Sequence, residues 1–67
     1  MIVAQFAAEL RKEYRERMNE VTDALARGEC TSFDVYKDLS GEIRGLALAE
    51  RMLIDAAERL ERTAMEK

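Results

Sequence analysis

Leucine recurs every seven residues at Leu39, Leu46, Leu53 and Leu60, and Tyr36, Ile43, Ala57 and Ala64 take the alternate positions of the same register. This apolar seam runs from about residue 36 to 64, and Glu50 alone interrupts it. A strand alternates every second residue and cannot bring such positions to one face. A helix can, and a seam of this period marks a long helix built to lie along other helices. The fold class that follows is all-α.

The segment before the seam has a helical pattern of its own. Val3, Phe6, Leu10, Tyr14, Met18, Val21 and Leu25 recur every three or four residues, with Val3, Tyr14 and Leu25 eleven apart. An eleven-residue repeat keeps a helix straight or slightly right-handed. The remaining faces carry Glu9, Arg11, Lys12, Glu13, Arg15, Glu16 and Arg17, which read as a solvated surface with Glu13 and Arg17 as an i,i+4 pair. Gly28 fits the left-handed position that ends a helix, and Arg27 suits the negative end of the helix dipole. Thr31 is placed to cap a second helix, with Asp34 reaching back to it and Cys30 and Val35 packing across the cap. The expected organisation is a single antiparallel hairpin: helix 2–27, turn 28–31, and a longer helix 32–66.

Pairing outward from the turn sets side by side residues whose numbers add to about 60. Val21 then meets Leu39, Met18 meets Ile43, Tyr14 meets Leu46, Phe6 meets Leu53 or Ile54, and Val3 meets Ala57. Leu60, Ala64 and Met65 extend past the end of the first helix. Glu50 falls near Leu10, Arg11 and Tyr14, and a carboxylate there needs a hydrogen bond or a counter-charge. Tyr14 and Arg11 are its expected partners, as is an arginine of a second chain. A single polar seam residue of this kind fixes register and copy number.

A second apolar strip runs beside the seam. Gly41, Gly45 and Ala49 form a row of small residues, Leu48 and Met52 lie on the same outer side, Ala49 and Ala56 connect it back to the seam, and Leu60 of the overhanging seam completes the expected interface. A helix apolar over most of its circumference is expected to be surrounded, and one neighbouring helix cannot do that. The chain has 67 residues, one cysteine and no histidine, so neither an internal disulfide nor a zinc site can supplement a small core. The expected partner is a second copy, in a dimer forming a four-helix bundle, with a larger protein assembly as the alternative.

Chemistry is excluded more firmly than assembly is specified. Without histidine there is no Ser-His-Asp triad and no Glu-x-x-His di-metal motif, and no Gly-rich phosphate loop occurs. No catalytic, cofactor or metal residue is nominated, and enzymatic activity is not expected. Charged residues make up 37% of the chain and the formal net charge is −3, with both signs interspersed, so nucleic acid is not the expected partner. Lys37, Arg44 and Arg51 line one flank of the second helix, diluted by Glu42, Glu50, Asp55 and Glu58. No run approaches the roughly 20 apolar residues of a membrane span. Met1 to Ala8 lack a basic leader, which gives a cytoplasmic site of synthesis as the expectation.

From Ala26 to about Asp55, the chain resembles small helical proteins encoded by tailed bacteriophages. The likeness is carried by Gly28-Glu29-Cys30, Phe33, Tyr36, Leu39, Gly41, Ile43, and Gly45-Leu46 with Ala49. It implies an accessory or minor virion protein bound to capsid, portal or tail, and it brings no catalytic motif. The sequence thus leads to a structural or assembly protein acting through its second helix. The alternative is a small regulatory binder that docks on a host or viral enzyme and inhibits it.

Overall fold

The computed structural model describes residues 2–65 and consists of two helices, α1 (Ile2–Ala26) and α2 (Phe33–Met65), packed as an antiparallel hairpin. The molecule is a rod of 54 × 16 × 10 Å, one helix thick in its shortest direction. The expected hairpin with a longer second helix is what forms. The first helix ends one residue earlier than the sequence suggests, the second begins one later, and the expected final residue Glu66 lies outside the described residues.

Backbone chemistry at the turn explains both boundaries. Gly28 adopts φ +74°, the left-handed conformation that costs an L-residue with a side chain about 1–2 kcal/mol. Its N–H donates to the Leu25 carbonyl (3.1 Å), and the Glu29 N–H donates to the Ala24 carbonyl (3.1 Å). This crossed pair satisfies the terminal carbonyls in a Schellman arrangement. At the other side of the turn the cap is Ser32, not Thr31. The Val35 N–H donates to Ser32 Oγ (3.2 Å), and the Tyr36 N–H donates to the Ser32 carbonyl (3.1 Å), so the helix starts one residue later and the Thr31–Asp34 box does not form. Gly28→Ala is expected to cost about 1–2 kcal/mol and Ser32→Ala about 1 kcal/mol. Thr31→Ala is expected to be nearly neutral. Thermal melts of the three variants check this assignment, and a Thr31→Ala loss matching that of Ser32→Ala contradicts it.

Along the interface, Val3, Ala7, Leu10, Tyr14, Met18, Val21 and Leu25 of α1 turn inward. Leu39, Ile43, Leu46, Glu50, Leu53 and Ala57 of α2 face them as the seam requires. Phe6 departs from its expected place and is 63% exposed. Ala7 takes the inward position one residue on. Ala4 and Ala7 line a common depression with Ile54 and Ala57. The Phe6 ring stands instead on the flank of the hairpin. Tyr36 also leaves the seam: its ring stacks on Phe33 at 6.3 Å between centroids in the first turn of α2.

The interior of this rod is slight. Among the described residues only Val21 is a buried apolar side chain, and Glu50 is the buried charged one. Cys30 is a free, half-buried thiol in the turn.

Candidate functional site

Two features rise above a plain helical pair: an ion cluster across the helix interface and an apolar outer face. The cluster is built on Glu50, whose side chain keeps 12% of its exposure. Arg15 donates from Nε to Glu50 Oε2 (2.6 Å) and from Nη2 to Oε1 (3.0 Å). Arg11 donates from Nε to Oε2 (3.2 Å). The expected counter-charge from Arg11 is present, while Arg15 supplies the two-pronged contact that the sequence reading did not name. Tyr14 is half-buried nearby but makes no hydrogen bond to the carboxylate. Arg11 and Arg15 are four residues apart on one side of α1, so both guanidinium groups converge on one acceptor. That spacing, at the level of the lone carboxylate in the seam, was the signal available in the sequence.

The hydrogen bonds from Arg15 hold the Glu50 carboxyl below its ordinary pKa of 4.5, against the opposing effect of desolvation and with further help from Arg11. A second bridge acts the same way: Arg17 donates to both Glu42 oxygens, with Nη2 at 3.1 Å from Oε1, and lowers the Glu42 pKa. Arg17 also reaches Glu20 at 3.4 Å, so its partners are Glu20 and Glu42 and not the expected Glu13. Both carboxyls bind protons less tightly folded than unfolded. Their contribution to stability is therefore complete above the unfolded value near 4.5 and is lost as pH falls from there through the lower folded values. The thermal midpoint is expected to drop on acidification from pH 6 to pH 3, and to drop less in the Glu42→Gln, Glu50→Gln double variant. Equal drops in the two chains would contradict the role given to these bridges.

These bridges select a register. A carboxylate withdrawn from water and held by two arginines tolerates no slip of α2 along α1, because a slip leaves it unpaired. The Glu50 carboxylate accepts three hydrogen bonds in this cluster, two at Oε2 and one at Oε1. The depressions beside it are lined by Ala8, Arg11, Lys12 and Arg15, and by the alanine pairs with Glu58 and Glu61. Among the described residues no group of three His, Cys, Asp or Glu side chains is arranged to hold a metal ion. No helix is long and apolar enough to cross a membrane among them.

The outer face of α2 carries the residues nominated as an interface. Gly41, Gly45, Leu48, Met52 and Leu60 are all exposed, Leu48 at 53% and Met52 at 61%. Ala49 and Ala56 are half-buried, forming the shoulder between this face and the seam. The face also has a contribution from α1 that the sequence reading missed. Phe6 precedes Arg17 by eleven residues, three helical turns, so the two share one side of α1. Arg17 reaches Glu42, and Ala49 and Ala56 follow Glu42 at seven-residue steps on α2. Phe6 therefore stands on the side of the hairpin that holds this shoulder. The apolar face spans both helices.

The basic flank is partly occupied. The Lys37 ammonium lies 5.6 Å from the centre of the Phe33 ring, a cation–π contact within its own turn of helix. Arg44 and Arg51 are exposed. Comparison with family models, with characterised proteins and with solved structures gives no match to this chain.

Proposed function

We propose that this chain is a non-enzymatic assembly protein: a hairpin held in register by its arginine–carboxylate bridges that docks on other protein chains through the outer face of α2. One observation carries the reading. Val21 is the sole buried apolar side chain among the described residues, whereas Phe6, Leu48, Met52 and Leu60 are left in water along the middle of the rod, as are Ile2, Phe33, Tyr36 and Met65 nearer the helix ends. Domains of this length are marginal on their own, and a continuous apolar patch rimmed by charge is the usual mark of a contact surface. A second copy is the partner in this reading, and a larger assembly is the next.

The resemblance of residues 26–55 to small helical proteins of tailed bacteriophages supports a setting for the reading, an accessory or minor virion protein. Nucleic acid does not enter: the net charge is −3, and Arg11, Arg15, Arg17 and Arg27 are engaged by carboxylates. Purification of particles from cells making the tagged chain tests the setting. The native chain is expected to come down with particles, and the Leu48→Glu, Met52→Glu double variant to remain in the supernatant. A native chain found instead on a soluble host or viral enzyme, with that enzyme's activity lowered, would replace the assembly role by that of a regulatory inhibitor.

A further inference from the structure

The outer face of α2 is not only apolar; its charges have an order. Asp34 and Asp38 precede Gly41, Gly45, Leu48 and Met52 on one helical stripe, and Arg59 follows on the same stripe with Arg62 one turn beyond. All four charged residues are exposed, and none makes an ion pair among the described residues. Lys37, Arg44 and Asp55 border the same stripe, so its start (Asp34, Lys37, Asp38) is net acidic, its middle apolar beside Arg44, and its end (Asp55, Arg59, Arg62) net basic. Such a surface is its own complement when a second copy runs in the opposite direction. Run in the same direction, it sets aspartate against aspartate and arginine against arginine.

We propose, resting on the contact surface assigned above, that α2 pairs antiparallel with α2 of a second copy about a two-fold axis beside Leu48 and Ala49. Residues whose numbers add to about 97 then lie level. Asp38 of each copy faces Arg59 of the other, Asp34 comes within reach of Arg62, and Met52 lies over Gly45. The two-fold axis makes each contact occur twice.

The glycines support this arrangement independently of the charges. A Cβ at Gly41 or Gly45 would meet nothing within 4 Å in the hairpin. The intramolecular packing therefore gives no reason for glycine, the poorest helix former after proline, at either position in the middle of α2. A helix crossing at that point does, since the missing side chains let the Met52 side chain of the second copy sit against the backbone. Placing Gly45 level with Met52 follows from the same register that matches Asp38 to Arg59, although the two pairs were chosen by different chemistry.

Charge reversal tests the orientation. Asp38→Arg and Arg59→Asp are each expected to raise the dimer dissociation constant about 10-fold or more, and the two together to bring it back to within about 3-fold of the native value. All positions are exposed in the hairpin, and circular dichroism verifies that each variant stays helical. As a second measurement, spin labels on Cys30 are expected about 55 Å apart in the antiparallel dimer, against about 20 Å or less in a parallel one. Singles without effect, a double variant as weak as the singles, or a short label distance would each overturn the antiparallel register. If Leu48→Glu with Met52→Glu still dissociates the native assembly, the contact surface stands and only its orientation fails. A native chain that is monomeric at every concentration removes both.

Discussion

Val21→Asp is expected to abolish the cooperative helical transition of this chain. Val21 is 2% exposed and lies two turns from the glycine that ends α1. A carboxylate at that point has no donor placed for it. It must either stay charged without a partner or take up a proton, and both cost several kcal/mol, about the scale on which unpaired buried charges are measured. A domain of 67 residues has on the order of 3–10 kcal/mol of total stability to lose. Val21→Ala, which removes two methyl groups without adding a charge, is expected to cost about 1–2 kcal/mol and to keep the transition. Far-UV circular dichroism with thermal melting separates the two. An aspartate variant that melts within a few degrees of the native chain would show that the hairpin interior is not where the stability lies.

Leu48→Glu combined with Met52→Glu is expected to have the opposite profile, with little effect on the hairpin and a large one on assembly. Both side chains are more than half exposed, and glutamate is a better helix former than most replacements, so α2 has no reason to unwind. Across an interface the same change introduces four carboxylates around one two-fold axis, each of which must give up water when the copies meet. The dimer dissociation constant is expected to rise about 100-fold or more, on the order of what truncating a central hot-spot side chain costs. Gel filtration at micromolar concentration, alongside a helical spectrum, measures this. A double variant that assembles like the native chain would move the contact surface off α2.

The sequence was most legible where one physical rule acts alone. The seven-residue leucine repeat sets the buried side of α2 by helix geometry, and no proline interrupts it. Gly28 could be read because few residues tolerate a left-handed backbone. Two departures arise where neighbouring residues satisfy a local pattern equally. Thr31 and Ser32 are both competent caps, and only the hydrogen bond from Val35 decides between them. Phe6 and Ala7 both continue the α1 pattern, and it is Ala7 that turns inward. Arg15 escaped notice because an arginine on a charged helix looks like ordinary surface until its partner's depth is known. Glu50 could be placed in the seam, but the number of arginines reaching it depends on side-chain length and rotamer, which spacing does not encode. The outer face was read from α2 alone, and its continuation onto Phe6 required the register that the Arg17–Glu42 bridge establishes.

The central claim is that the hairpin is one half of a working unit, and sedimentation equilibrium of the native chain over a wide concentration range tests it most directly. The mass is expected to rise with concentration from 7.7 kDa toward twice that value, with helical content retained throughout. A folded chain that holds 7.7 kDa at the highest concentration would contradict the claim, and would leave the face of Leu48 and Met52 to an unlike partner.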